Sequence, residues 1–213
     1  MPLFQPAAPR APTPVLADAA ASAISSDLVT QGWSQRSSFL PRALTVTLAD
    51  ECRQHAAAGR MHLAGVGQRA ASAPGPGVRG DRIAWLEHGQ SAACDRYLEI
   101  METLRLALNR DLYLGLETYE SHFACYAAGA GYQKHVDRFR HDDRRTVSVV
   151  IYLNHHWRAG QGGALRLYPA DTPVIDVAPV GSRMVLFLSA DLPHEVMPAT
   201  RQRLSLAGWF RRR

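Results

Sequence analysis

TYESHFACYAAGAGYQKHVDRFRHDDRRTVSVVIYLN, residues 118–154, decides the fold. Apolar and β-branched residues come there in short runs, 118–126, 132–139 and 146–154, parted by AAGAG and by a charged stretch. Such runs between turn residues predict strands. The same texture continues at 164–168, 174–177, 184–188, 194–198 and 204–210, with RAGQGG, APVGS and SADLP as further separators. Many short, closely spaced strands predict a sandwich or jelly roll. Toward the N-terminus the pattern changes. Ile24 and Leu28 mark a short helix over 18–31, good helix formers fill 44–58, and Leu98, Met101, Leu104 and Leu108 share one face of 92–109. Strands are expected at 33–40 and 83–86. Helices followed by a run of strands are the α+β pattern, with helices packed on one outer face of a β core.

Composition bounds the rest. The chain has 213 residues, 46% hydrophobic and 20% charged. A chain of this length buries roughly 70% of its unfolded surface and needs no staple to fold. Three cysteines far apart, with no C-x-x-C pair, argue against a disulfide framework and point to a reducing compartment. No apolar run is long enough to span a bilayer, so no membrane partner is expected. The start lacks a basic segment followed by an apolar stretch, so the cytoplasm is the expected location. Residues 1–14 carry five prolines and read as a disordered tail. Residues 15–213 read as one domain: helical support over 15–114 and a jelly-roll core over 115–210. The Gly/Pro-rich stretch 65–80 is too long for an ordinary connection and reads as a mobile loop, with a linker and a substrate lid both open on composition alone. The net charge is +5, with five arginines in the last thirteen residues. No nucleic-acid signature accompanies them, so nucleic acid is not expected as a partner.

The chemistry-bearing residues sit in the β half. His135 and Asp137 lie two apart in a strand-like run, which would aim both side chains at one face. His194 follows a turn and opens another strand. Two histidines and a carboxylate on one side of a metal are the donor set of non-haem iron(II) oxygenases. H-x-D occurs often by chance, and His141-Asp142-Asp143 is a second copy. That copy lies in a charged stretch without alternation and reads as a solvated, salt-bridged turn. Arg203, in RLSLAGWF, offers a planar guanidinium for a carboxylate at the far end of such a pocket. Arg201 shares its face by alternation, and spacing does not decide between them. Ser205 lies on the same face and could add a hydroxyl. His55, His62, His88 and His122 have no ligand-spaced partners and read as packing or surface residues.

RGDRIAWLE (79–87), ACYAAGAGYQKHVD (124–137), VIYLN (150–154), GGALRLYP (162–169), PHEVMPA (193–199) and RLSLAGWF (203–210) follow one another in a telling order. Over about 65–210 the chain resembles the 2-oxoglutarate and iron(II)-dependent prolyl hydroxylases of the hypoxia-inducible-factor type and their bacterial relatives. The resemblance implies a double-stranded β-helix, a form of jelly roll, buttressed by N-terminal helices. It implies iron ligation by His135, Asp137 and His194. It places the distal 2-oxoglutarate carboxylate on Arg203 and Tyr152, and Tyr126 near the chelating end. Arg145 and Trp209 fall at the substrate-side mouth, and the stretch 65–80 matches a closing loop. The chain departs from the animal enzymes in a shorter 126–135 interval, a charged segment after Asp137, and Ala207 in place of a polar residue. These departures touch the substrate rim and the co-substrate surroundings.

The resemblance implies a dioxygenase that hydroxylates a prolyl residue of a protein, with Fe(II), 2-oxoglutarate and O2, and ascorbate as an optional reductant; a monomer is expected. Succinate and carbon dioxide would be the co-products. The bacterial branch brings elongation factor Tu forward as a substrate. Two other readings stand beside it: a 2-oxoglutarate oxygenase for nucleic acid or a small molecule, and a non-catalytic jelly-roll metal sensor.

Overall fold

The computed structural model describes residues 18–65, 78–138 and 142–213. The N-terminal tail, most of the proposed lid (66–77) and His141 lie outside the described residues. The elements run α1 (Asp18–Gln31), β1 (Trp33–Arg36), α2 (Arg42–Ala57), β2 (His62–Leu63), β3 (Asp81–Trp85), α3 (Ala92–Leu112) and β4 (Thr118–Tyr126). Then come β5 (Tyr132–His135), β6 (Arg145–Tyr152), β7 (Leu165–Leu167), β8 (Ile175–Val177), β9 (Met184–Leu188), β10 (His194–Val196) and β11 (Arg203–Arg211).

The strands form two antiparallel sheets. The major sheet has the order β1-β9-β6-β11-β4-β3-β2, the minor one β5-β10-β7-β8. The central strands β9, β6, β11 and β4 of the major sheet are largely buried on both faces, so their alternation sorts residues between two cores. In β11, Leu204, Leu206 and Phe210 join Leu48, Tyr97, Met101 and Leu104 under the helices. Its alternate residues, Arg203, Ser205, Ala207, Trp209 and Arg211, line a cavity between the sheets. Tyr152, Val185 and Phe187 of the major sheet meet Leu165, Leu167 and Val196 of the minor sheet in the second core. This is the expected α+β jelly roll with helices on one outer face. The N-terminal half also supplies β1, β2 and β3 to the major sheet, so helical support and β core interleave along the chain.

Local signals explain the helix ends. Ser91 caps α3 by accepting a hydrogen bond from the Cys94 amide at 3.0 Å, and Tyr113 closes it in the left-handed conformation at φ 54°. The expected strand at 33–40 stops at Arg36, where a turn begins. A correction concerns 132–139. The strand ends at His135, so Asp137 lies beyond it and alternation does not set its direction. The reason is a short ladder: β5 meets β10 at His135↔His194 and Tyr132↔Val196, with a bulge between. Past it the chain crosses to the major sheet, where the Arg138 amide donates to the Ser189 carbonyl at 3.2 Å.

Asn154 ties the end of β6 to the start of β11. Its Nδ2 donates to the carbonyls of Pro179 (2.8 Å) and Leu204 (3.0 Å), and its Oδ1 accepts from the Leu204 amide (2.7 Å). All of this is buried. Asn154→Ala is expected to cost about 3 kcal/mol, because it strands the buried Leu204 amide and Pro179 carbonyl and leaves the Leu204 carbonyl only its bond from the Leu153 amide. Urea unfolding checks this, and a loss under about 1 kcal/mol contradicts it.

Candidate active site

The two sheets enclose a cavity of about 570 Å³. Its inner end carries two histidines and a carboxylate. Register places His135 opposite His194 on neighbouring strands of the minor sheet. The Nδ1 atoms of both rings face backbone carbonyls, Gln133 O at 2.7 Å and Leu192 O at 3.0 Å. A carbonyl only accepts, so each Nδ1 carries a proton, and in the neutral ring it is Nε2 that keeps the lone pair. Those Nε2 atoms lie 3.6 and 3.8 Å from Asp137 Oδ1, too far for direct hydrogen bonds. One donor atom from each of the three residues falls within 4.8 Å of the others, the one such cluster among the described residues. The set fits a divalent ion on chemistry and on orientation, with each imidazole fixed through its far nitrogen. Burial alone would raise the Asp137 carboxyl. His194, His135 and the Ser148 hydroxyl outweigh it and hold the group well below the usual carboxylate range. Burial also holds His194 below the ordinary histidine value, with Asp137 opposing.

The rings are packed in place. Tyr132 stacks on His135 at 3.6 Å between centroids, and Phe187 meets His194 edge-on at 4.7 Å. Asp137 is held from the major sheet, where Ser148 Oγ donates to its Oδ2 at 2.7 Å and Trp209 Nε1 at 2.9 Å.

A second polar centre surrounds Arg203, which is 1% exposed. Its Nε donates to the Gly163 carbonyl at 2.9 Å and its Nη1 to Ser205 Oγ at 3.3 Å. The rings of Tyr126 and Tyr152 flank the guanidinium at 5.1 and 5.2 Å. Nη2 of Arg203 and the hydroxyl of Tyr152 are buried without hydrogen-bond partners. Two orphaned donors side by side are costly unless something arrives to accept from them. A carboxylate fits: it is acceptor-only and matches a guanidinium edge. Burial pushes the Tyr152 hydroxyl up to about 12, with Arg203 pulling the other way, so it stays a donor at neutral pH. Arg201, the rival by spacing, sits 5.3 Å from the Trp157 ring and does not line the cavity.

At the mouth, Arg145 lies 3.5 Å over the Trp209 ring, and Glu120 accepts from Arg145 at 3.0 Å and Arg211 at 2.9 Å. His122 lines the wall among Trp85 and Trp209, buried as a packing residue. The described part of the second H-x-D copy, Asp142 and Asp143, is not in the three-residue cluster, although Asp142 also lines the cavity. Asp142 pairs with Arg144, and Asp143 with Arg212 and Arg138.

A family model for the 2OG-Fe(II) oxygenase superfamily matches residues 121–211. A solved Pseudomonas putida prolyl-4-hydroxylase is 51% identical, covering 91% of this chain and 99% of that one, at a TM-score of 0.83. This chain belongs to the prolyl hydroxylases of that superfamily. A Trichoplax adhaerens prolyl hydroxylase, solved with a hypoxia-inducible-factor peptide fragment, is 28% identical over 91% of this chain and 90% of that one, at a TM-score of 0.81. Human Egl nine homolog 1 is 34% identical over 143 residues, 62% of this chain. The chain spans 33% of that relative's length. The family uses Fe(II) and 2-oxoglutarate. Among the described residues no helix is long and apolar enough to cross a membrane.

Sequence reasoning missed Ser148, Glu120 and the placement of the Trp209 N–H. Ser148 is one serine in a β-branched run, with no spacing signal to mark it. The rim pair Glu120–Arg145 depends on a pairing of distant strands.

His122 carries a pH signature. Burial, outweighing Asp81, holds its pKa down to about 4. Unfolded, it would bind a proton near pH 6.5; folded, it resists until about 4. The neutral ring's full contribution is therefore present above pH 6.5, and about 3 kcal/mol is lost as pH falls toward 4. His122→Phe should flatten the stability profile between those values by that amount. Profiles of equal slope contradict it.

Proposed function

We propose that this chain hydroxylates a prolyl residue of a protein, with iron(II) held by His135, Asp137 and His194. The observation that carries the reading is the buried, unpartnered pair Arg203 Nη2 and Tyr152 O–H beside the same cavity as the two Nε2 lone pairs. One end of the pocket suits a metal and the other an anion, which is what a dicarboxylate co-substrate chelating iron requires. When bound, iron and 2-oxoglutarate supply the oxidising power that puts one atom of O2 on a C–H bond and the other into succinate, releasing carbon dioxide.

The protein's own work is binding, orientation and exclusion of water. The histidines present neutral Nε2 atoms, and Asp137 brings one negative oxygen. Arg203 and Tyr152 donate to the distal carboxylate, with Tyr126 packed on the guanidinium. Ser205 holds Arg203 Nη1 and so fixes the edge that stays free. Arg145 and Trp209 stand at the mouth, where a peptide would enter, beside the exposed apolar faces of Trp85, Leu63 and Val136. That mixed rim favours an extended peptide. The Trichoplax relative, solved with a peptide fragment, supports the same class. Elongation factor Tu is the first protein to try.

The test is intact-mass analysis of that factor after incubation with the purified chain. A gain of one oxygen atom on a proline, dependent on both iron and 2-oxoglutarate, is expected. Succinate formation with no mass gain on any protein offered, and a gain on a nucleic acid or small molecule instead, contradicts the reading.

A further inference from the structure

We propose that Ser148 and Trp209 form a two-point clamp that presents Asp137 to the metal through one oxygen, making both positioning residues of the centre. This rests on the iron reading above. Asp137 Oδ2 accepts from Ser148 Oγ at 2.7 Å and from Trp209 Nε1 at 2.9 Å. An ionised carboxylate oxygen has two in-plane lone pairs. Both on Oδ2 are engaged, which leaves Oδ1, the oxygen facing His135 and His194, for the ion.

The two donors share one rung of the major sheet. Trp209 of β11 pairs directly with Ser148 of β6. The clamp is thus set by a strand register rather than by a loop. Its parts are themselves held. Ser148 has one proton and gives it to Asp137, so the Ser189 hydroxyl, 2.8 Å away, must donate to Ser148. Arg145 covers one face of the indole at 3.5 Å, and Glu120 holds Arg145. Asp137 needs this help because it lies past the end of β5, where no ladder fixes its backbone. The two histidines come from the minor sheet and the clamp from the major one, so the centre joins both sheets. Trp209 therefore acts on the metal ligand as well as at the mouth.

Co(II) affinity measured by anaerobic titration calorimetry, with the visible Co(II) absorption, tests the clamp without turnover. Trp209→Phe keeps an aromatic ring, though a smaller one, and loses the N–H; Ser148→Ala loses the hydroxyl. Each should weaken Co(II) binding about 10- to 100-fold, the usual effect of removing an outer partner of a ligand. Each should also shift the Co(II) absorption as Asp137 gains freedom to turn. Ser148→Thr, which keeps the hydroxyl, should bind as the parent does. Far-UV circular dichroism and the thermal unfolding transition check the fold, and a fold lost in Trp209→Phe leaves the Ser148 pair to decide. Unchanged affinity and spectrum in folded Trp209→Phe and Ser148→Ala overturn the clamp alone. A parent protein that binds no Co(II) overturns the metal-site reading with it.

Discussion

Asp137→Ala is expected to abolish iron-dependent 2-oxoglutarate turnover, whereas Asp143→Ala should retain it. The two aspartates close the two H-x-D copies, and their surroundings differ in kind. Asp137 lies between two histidine Nε2 atoms, at 3.6 and 3.8 Å from its Oδ1, with Oδ2 tied to Ser148 and Trp209. Asp143 is exposed and pairs with Arg212 and Arg138. A surface pair of that kind contributes little. Loss of the sole carboxylate of a three-residue set removes a ligand outright. The effect should exceed the roughly 100-fold upper range for losing an outer partner. Succinate release at saturating iron is the measurement. Turnover retained in Asp137→Ala and lost in Asp143→Ala would reverse the assignment.

Arg203→Ala is expected to raise the 2-oxoglutarate requirement about 30-fold or more while metal binding survives. Truncating one partner of a buried charge pair costs on the order of 2–5 kcal/mol, and 1.4 kcal/mol is tenfold in affinity. Arg203 is aimed for that pairing: Nε is spent on Gly163, Nη1 on Ser205, and Nη2 is buried without a partner. Lysine should not restore affinity, since one ammonium cannot serve Gly163, Ser205 and a carboxylate together in the guanidinium's planar geometry. Arg201→Ala should leave the requirement unchanged, because that side chain sits against Trp157. Superimposable co-substrate titrations for Arg203→Ala and the parent contradict the assignment.

The β core was legible because a strand with a core on each face reads as a short, nearly continuous apolar run between turn residues. β4, β9 and β11 lie close to their expected limits for that reason. Legibility fell where contacts between sheets, rather than local pattern, set the chain's path. Asp137 is the clearest case. Its neighbour relation to His135 pointed to a shared face, yet β5 ends before it, and its direction comes from Ser148 and Trp209, the latter 72 residues on. Arg203 and Arg201 are equivalent by alternation. They are separated by burial, since β11 begins at Arg203 and Arg201 remains in the preceding turn against Trp157. Tyr152 and Tyr126 entered through the resemblance, because a tyrosine in a strand is usually core. What marks them is the guanidinium between their rings.

The most direct measurement is a crystal structure grown anaerobically with Mn(II) and a non-reacting dicarboxylate analogue of 2-oxoglutarate. The account predicts the ion among His135 Nε2, Asp137 Oδ1 and His194 Nε2, with the analogue's far carboxylate on Arg203 Nη2 and the Tyr152 hydroxyl. An ion bound elsewhere, or an analogue whose far carboxylate leaves both of those donors unpaired, would contradict it.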